Sequence, residues 1–265
     1  HRGKYAIPLP FYLKLREKIE WVKNQEKEFK VGFKRNFGET NVVMPIDEKL
    51  GEFLGLYVSE GWCWKSKVKG KESHHVGIAA QNLEVRKRAV DLISSIFGIK
   101  ATENNTSAVI TNKILYEFIG KLCGKNAYEK VVPNLILNSN KQTILGFLAG
   151  CYQGDGSVDK SDIKYTTVSE KLASQLYFIL SSLGMLPTFK KEKNKKITSG
   201  IVFEKYKAKN KLPPVITLHY VCLYSEDART FAREVKLIGK KQEKLISLLN
   251  HKSGKRHIVK QNDVR

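Results

Sequence analysis

The apolar positions of this chain follow one pattern twice. Leu50, Phe53, Leu54, Leu56, Tyr57 and Val58 form one dense run, and Ile144, Leu145, Phe147, Leu148, Ala149 and Cys151 form another. Apolar residues at nearly every step, behind the helix-starting residues Asp47 and Ser139 or Asn140, predict two helices buried on all sides. After the first run, residues 62–65 and 76–80 read as a hairpin across a basic loop. Val85, Ala89, Leu92, Ile93 and Ile96 then recur at helical spacing over 82–99, with Gly98 as the stop. Residues 108–111 read as extended and 115–122 as helical. The second run is followed by a shorter hairpin at 157–159 and 163–167. Next comes a helix at 170–183 carrying Leu172, Leu176, Ile179, Leu180 and Leu183 on one face. Strands at 188–191 and 217–224 and a helix at 226–237 complete that half. The pattern predicts an α+β fold: a pseudo-twofold pair of αββαββα halves, one antiparallel sheet in each.

The two buried helices end alike. Phe53-Leu-Gly-Leu-Tyr-Val-Ser-Glu60-Gly61 and Leu148-Ala-Gly-Cys-Tyr-Gln-Gly-Asp155-Gly156 both close on an acid followed by glycine, 95 positions apart. Glycine after the last turn suggests a C-cap at Gly61 and at Gly156. A carboxylate beside the negative end of a helix dipole is unfavourable, and the same violation at two matched positions points to a functional site. Gly55 and the Ala149-Gly150 pair would let the helices approach closely, bringing Glu60 and Asp155 together at one seam.

Four segments follow: a basic helical extension at 1–46, a first half at 47–137, a second half at 138–249 and a polar linker at 250–265. The extension holds a helix predicted over 11–29 and a basic patch at 30–35. The second half holds a basic insertion at 190–211 with nine lysines, which reads as a long hairpin arm. Lys and Arg number 47 against 26 Asp and Glu, a formal net charge of +21 that points to a polyanion, most simply nucleic acid. No apolar run reaches the roughly 18–20 residues of a membrane helix, and the polar, basic N-terminus does not read as a signal peptide. Cys63, Cys123, Cys151 and Cys222 lie far apart in apolar surroundings and read as buried thiols. The adjacent His74 and His75 would face opposite sides of a strand, which argues against a shared metal.

The paired motifs resemble the signature of the LAGLIDADG homing endonucleases, in the two-motif, single-chain form. Val132-Pro133 and the segment from Thr167 to Gly184 are similar to blocks of the intein-borne branch, as in an archaeal intein. Glu60 stands where aspartate is commoner in the signature, and Val58 and Gln153 stand where it has aspartate. The resemblance implies motif helices packed at a central seam and two sheets forming a DNA-binding saddle. It implies a site-specific double-strand DNA endonuclease acting at a long, pseudo-symmetric or asymmetric site, as a monomer. Asn262-Asp-Val-Arg265 resembles the link back into an intein's splicing domain, so an endonuclease domain separated from its splicing halves is expected. The expected setting is cytoplasmic and nucleoid-associated. The alternative within this fold is a non-cleaving DNA-binding protein or an intron RNA maturase.

Phosphodiester hydrolysis needs an activated water and neutralised charge, which hard divalent cations on oxygen ligands supply. Glu60 and Asp155, with the carbonyls of Gly61 and Gly154, are the candidate ligands for Mg2+, with Mn2+ as a substitute. The resemblance implies central basic residues as well. Aligning Gly124 with Gly239 makes Lys125 and Lys240 counterparts, with Lys241 adjacent. A two-stranded ribbon fits the major groove, so the hairpins supply the DNA-contact candidates. These are Trp62, Trp64, Lys65, Lys67, Lys69, Gln81, Gln153, Lys160, Lys164, Tyr165, Lys190 and Lys191.

Overall fold

The computed structural model describes residues 9–24, 29–32, 39–68, 70–196, 208 and 215–250. Two short helices, α1 (Leu9–Lys18) and α2 (Glu20–Asn24), and a two-stranded pair, β1 (Lys30–Gly32) and β2 (Glu39–Asn41), precede the repeat. The first half is α3 (Glu48–Glu60), β3 (Gly61–Val68), β4 (Lys71–Ala79), α4 (Leu83–Phe97), β5 (Thr102–Glu103), β6 (Ser107–Thr111) and α5 (Lys113–Cys123). A short α6 (Asn134–Leu137) leads into the second. That half is α7 (Lys141–Gly154), β7 (Gly156–Val158), β8 (Asp162–Thr167), α8 (Glu170–Ser182), β9 (Thr188–Lys196), β10 (Val215–Tyr224) and α9 (Ser225–Glu234), followed by α10 (Lys240–Asn250). Each half therefore has the αββαββα order that the apolar pattern predicts.

The two sheets are antiparallel and share one topology. The first runs β3-β4-β6-β5 and the second β7-β8-β10-β9. Side chains alternate across each strand. Val76 and Ile78 face the core while His75 and Gly77 face outward, and in the second sheet Ile163 and Tyr165 face inward. A single core runs through both halves, from Ile96 and Phe97 on α4 across the motif helices to Leu180 and Phe231.

The seam between α3 and α7 is made of glycine. A Cβ at Gly51 would meet the Thr143 carbonyl, at Gly55 that of Phe147, at Gly146 that of Glu48 and at Gly150 that of Glu52. Two glycines four residues apart on each helix thus let the backbones touch, which bulky ridges would prevent. Gly51 and Gly146 belong to this seam although only Gly55 and Gly150 were expected there. Asp47 and Asn140 cap the starts of α3 and α7 by accepting from the Leu50 and Thr143 amides at 3.0 Å and 2.9 Å.

The extension departs from expectation. The helix predicted over 11–29 breaks at Ile19 into α1 and α2, and Phe29 lies outside both. Tyr12 and Val22 are buried, and Tyr12 meets Phe29 edge-on at 5.9 Å, so tertiary packing turns the chain where one long helix would have run past. The extension is fastened to the first half: Thr40 donates to the Phe97 carbonyl and Asn41 to that of Ile96, both at 3.1 Å, closing the end of α4. Of the basic patch only residues 30–32 are described, and of the insertion only 190–196 and 208; the C-terminal linker beyond Asn250 lies outside the described residues. No described helix is long and apolar enough to cross a membrane.

Candidate active site

Glu60 is the last residue of α3, and the backbone passes straight from it into β3. Asp155 is the capping residue of α7, its amide donating to the Cys151 carbonyl at 3.2 Å, and β7 starts one residue later. Gly61 is the C-cap of α3 as expected, its amide donating to the Tyr57 carbonyl, whereas α7 is capped by Asp155 and not by Gly156. Gly61 is extended, with φ −84° and ψ 149°, and Gly156 is the first residue of β7. Their glycine identity has another cause. A Cβ at Gly61 would run into Tyr57, and one at Gly156 into Tyr152, the tyrosine one turn back on each helix. The chain can turn from helix to strand beside the acid only without a side chain there.

Neither motif helix carries a cation in its last turn. Tertiary structure supplies one to each. Lys241, on α10, donates to the carbonyls of Tyr152, Gln153 and Gly154 at 3.0, 2.8 and 2.7 Å. Lys130, on the loop after α5, donates to the Tyr57 carbonyl at 2.8 Å, and its ammonium lies 3.5 Å from the Tyr57 ring centre. Lys241 answers carbonyls at the end of α7, Lys130 adds a second donor to the Tyr57 carbonyl that already accepts from the Gly61 amide, and both oppose the negative dipole of a helix end. Burial pushes Lys130 down to about 8. Burial also lowers Lys241, opposed by Asp155 and Glu60.

The carboxylates are shifted the other way. Glu60 is raised by burial, against the pull of Lys241. Asp155 is pushed up to about 7, first by desolvation and then by Glu60, with Lys241, the Tyr165 hydroxyl and Lys130 working against the rise. Asp155 is open to solvent on one side and crowded by protein on the others. Two acids that disfavour each other's charge make a site that gains from a cation. Their hard oxygen donors fit a divalent metal, with Glu60 and Asp155 as its protein carboxylates. Among the described residues no group of three or more His, Cys, Asp or Glu is placed to hold a metal. The Gly154 carbonyl, a candidate ligand, is taken up by Lys241. A cavity of about 250 Å³ opens beside Glu60, lined among others by Gln81, Asn82, Gln153, Lys240 and Lys241.

The remaining candidates divide. Lys241 reaches the centre, whereas Lys240 is exposed at the cavity rim. Lys125 is held instead by Glu117 at 3.4 Å and over the Tyr116 ring at 4.4 Å. The lysine that reaches the first motif helix is Lys130, which glycine-anchored alignment passes over because the loop from Gly124 takes a longer path than the one from Gly239. A basic residue ending that loop was the available signal. Gln153 does not face outward: its side-chain oxygen accepts from the Ile238 amide at 2.7 Å. Tyr165 is wholly buried, packed on Tyr152 at 5.4 Å, so it belongs to the core.

Strand alternation separates the others. Trp62 and Trp64 pair with Gly77 and His75 on the open face of the first sheet, while Lys65 and Lys67 pair with His74 and Glu72 on the opposite, helix-side face. Lys65 accordingly sits 5.3 Å from the Tyr116 ring centre. In the second sheet Lys164 and Lys190 are on the open face, beside Tyr220 and Tyr224. Lys191 is turned to the helix side, where it pairs with Glu170 at 3.0 Å. Lys160 is exposed in the β7–β8 turn, and Lys69 lies outside the described residues. The four cysteines are free thiols, three of them buried.

Comparison with known proteins agrees with this geometry. Residues 142–236 match the family model of the LAGLIDADG-like domain. The chain is 34% identical over 161 residues to a DNA polymerase of Thermococcus aggregans, and 32% over 188 residues to one of Thermococcus litoralis. These matches cover 60% and 70% of the chain but only 9% and 11% of the polymerases, so the chain spans about a tenth of their length. Among solved structures, I-DmoI in complex with DNA and Ca superposes with a TM-score of 0.53 at 14% identity, covering 78% of this chain and 99% of that one. I-DmoI with DNA and Mn gives 0.50 at 15% identity, covering 72% and 97%. At such identity the likeness is one of fold. Residues 142–236 thus carry a LAGLIDADG-like domain, and the chain as a whole, with two copies of the motif and a helix–helix seam between two matched halves, is similar in fold to the two I-DmoI complexes.

Proposed function

We propose that this chain is a site-specific double-strand DNA endonuclease, dependent on a divalent metal, and the endonuclease domain of an intein. One observation carries the reading. Glu60 and Asp155 leave matched ends of two helices in backbone contact, each at the point where its half's sheet begins. A nuclease-type segment that accounts for a tenth of a polymerase chain fits a domain inserted in a longer polypeptide. The net charge of +21 suits a DNA partner.

Mg2+, or Mn2+ in its place, would be held by the two carboxylates, lowering the pKa of a bound water and neutralising charge at the scissile phosphate. The residues of the chain do the rest. Lys241 and Lys130 fix the two helix ends and place positive charge beside the acids. The glycine seam sets the spacing of the carboxylates and leaves them no freedom to drift apart. The two sheets, each starting at a carboxylate, would straddle the duplex as a saddle.

The test is incubation of the protein with the uninterrupted polymerase-gene site and Mg2+, which should give linear product from plasmid. Asp155→Asn should remove cutting while DNA binding persists. Binding with no nicking or cleavage under any divalent metal would instead support the non-cleaving member of the fold.

A further inference from the structure

The open faces of the two sheets differ in chemistry. On the first, register places Trp62, Trp64, Ser66, Ser73, His75, Val109 and Thr111 on one side, and the first charged residue is Lys71 at the hairpin tip. Trp62 lies flat against Gly77, where a Cβ would enter its ring. Trp64 stacks on His75 with ring centres 5.2 Å apart and planes 27° apart, and 57% of it is exposed. Both nitrogens of His75 are engaged, one by the Ser66 hydroxyl at 3.0 Å and the other by the Thr111 hydroxyl at 3.1 Å. Hydroxyls donate or accept as needed, so the ring keeps its place in either tautomer. A large, preorganised aromatic surface on a sheet face that carries no charge short of Lys71 is unusual in a chain this basic. An exposed tryptophan with no structural work on its outer side marks a contact surface.

We propose that this face reads thymine, through apolar contact of Trp64 with the 5-methyl group in the major groove, while backbone anchoring falls mainly to the second half. The proposal rests on the DNA endonuclease reading above. Thymine is the base that presents a methyl group in that groove, and uncharged apolar side chains are what recognise it. Phosphate contacts, in contrast, come from cations, and these line the second sheet as Lys164 and Lys190, with Lys193, Lys195 and Lys196 farther along β9. Position follows from strand geometry. Trp64 is four residues beyond Glu60 on a continuous strand. With a rise of about 3.3 Å per residue against about 3.4 Å per base, the thymine falls roughly three to five base pairs from the scissile centre.

The experiment is selection from a randomised duplex pool in EDTA, followed by binding of the selected site with individual thymines replaced by deoxyuridine. Wild type should enrich thymine in the predicted window on one side only, and uracil there should weaken binding about fourfold per methyl lost. Trp64→Ala should bind thymine and uracil equally, with an unchanged salt dependence, while Trp64→Phe keeps part of the discrimination and reports that the fold is intact. A selected site whose thymines all tolerate uracil overturns this proposal alone. So does a Trp64→Ala variant that still discriminates thymine from uracil as wild type does. Failure to enrich any duplex overturns both this proposal and the endonuclease reading.

Discussion

The two halves of this chain share a topology and differ in how each completes the same helix end. In the second half Lys241 gathers three carbonyls of α7 from a neighbouring helix and remains half-buried beside both acids. In the first half Lys130 reaches one carbonyl of α3, is buried, and leans on the Tyr57 ring. Their acids differ as well, glutamate in one and aspartate in the other, and so do their sheets: the first presents aromatic and hydroxyl groups, the second lysines and tyrosines. Duplication has preserved what the seam demands, glycines and a carboxylate at each helix end. It has relaxed what each half can supply in its own way.

The largest expected effect tests whether the acids are equivalent. Glu60→Gln and Asp155→Asn should each lower cleavage by about a thousandfold or more, with binding retained. A Glu60→Gln variant that still cuts both strands would break the equivalence and leave Asp155 as the sole essential carboxylate. The seam comes next. Gly55→Ala and Gly150→Ala each drive a Cβ into the partner backbone, and each should destabilise by about 3 kcal/mol or more in urea unfolding. Unequal losses would show that one helix can yield where the other cannot.

The lysines sharpen the comparison further. Lys241→Met should reduce the cleavage rate about a hundredfold, and Lys130→Met about tenfold, because Lys241 makes three helix-end contacts to one. Single-turnover rates at saturating metal would check the order, and its reversal would place the more important cation in the first half. Lys130→Met should leave thermal stability nearly unchanged, since an apolar side chain avoids the burial that lowers this ammonium's pKa.

The smallest effect concerns pH. Asp155 has a folded pKa of about 7 against an ordinary 3.8, so the folded state holds this proton longer than the unfolded chain does. Its contribution to stability is present below pH 4 and is lost as pH rises through 7. In metal-free protein, Asp155→Asn should therefore stabilise at pH 8 by on the order of 1 kcal/mol, most of the penalty being screened because the side chain reaches solvent. The gain should shrink as the pH falls and vanish by about pH 3, below the ordinary carboxyl value. Unfolding curves in EDTA at the two pH values decide it, and equal gains at both would mean that charge is not the cause.

Much of this was legible before any coordinates. Local signals sufficed where the physics is local: Asp47 and Asn140 as helix starts, Gly98 as a stop at φ 63°, and apolar spacing on α4 and α8. The matched acids were visible as two violations of one rule. Lys130 was not, because what selects it is the path of a loop through space, and alignment by glycine landed on Lys125. Tyr165 read as a surface aromatic until strand phase placed it inward. Lys65 and Lys67 were grouped with Trp62 and Trp64 by proximity in sequence, although one step along a strand reverses the face. The N-terminal helix broke where packing of Tyr12 and Phe29 outweighed helix propensity.

By itself, then, the sequence determined the twofold repeat, the order of elements in each half, the buried motif helices and the two carboxylates that end them. These follow from periodicity, capping and burial, which act between near neighbours along the chain. Only the tertiary structure decided which lysines answer those helix ends, which side of each sheet is open, and how Glu60 and Asp155 perturb each other. Those depend on groups brought together across as many as 181 positions, from Glu60 to Lys241, where the free energy of packing a whole core, and no local preference, chooses the neighbour.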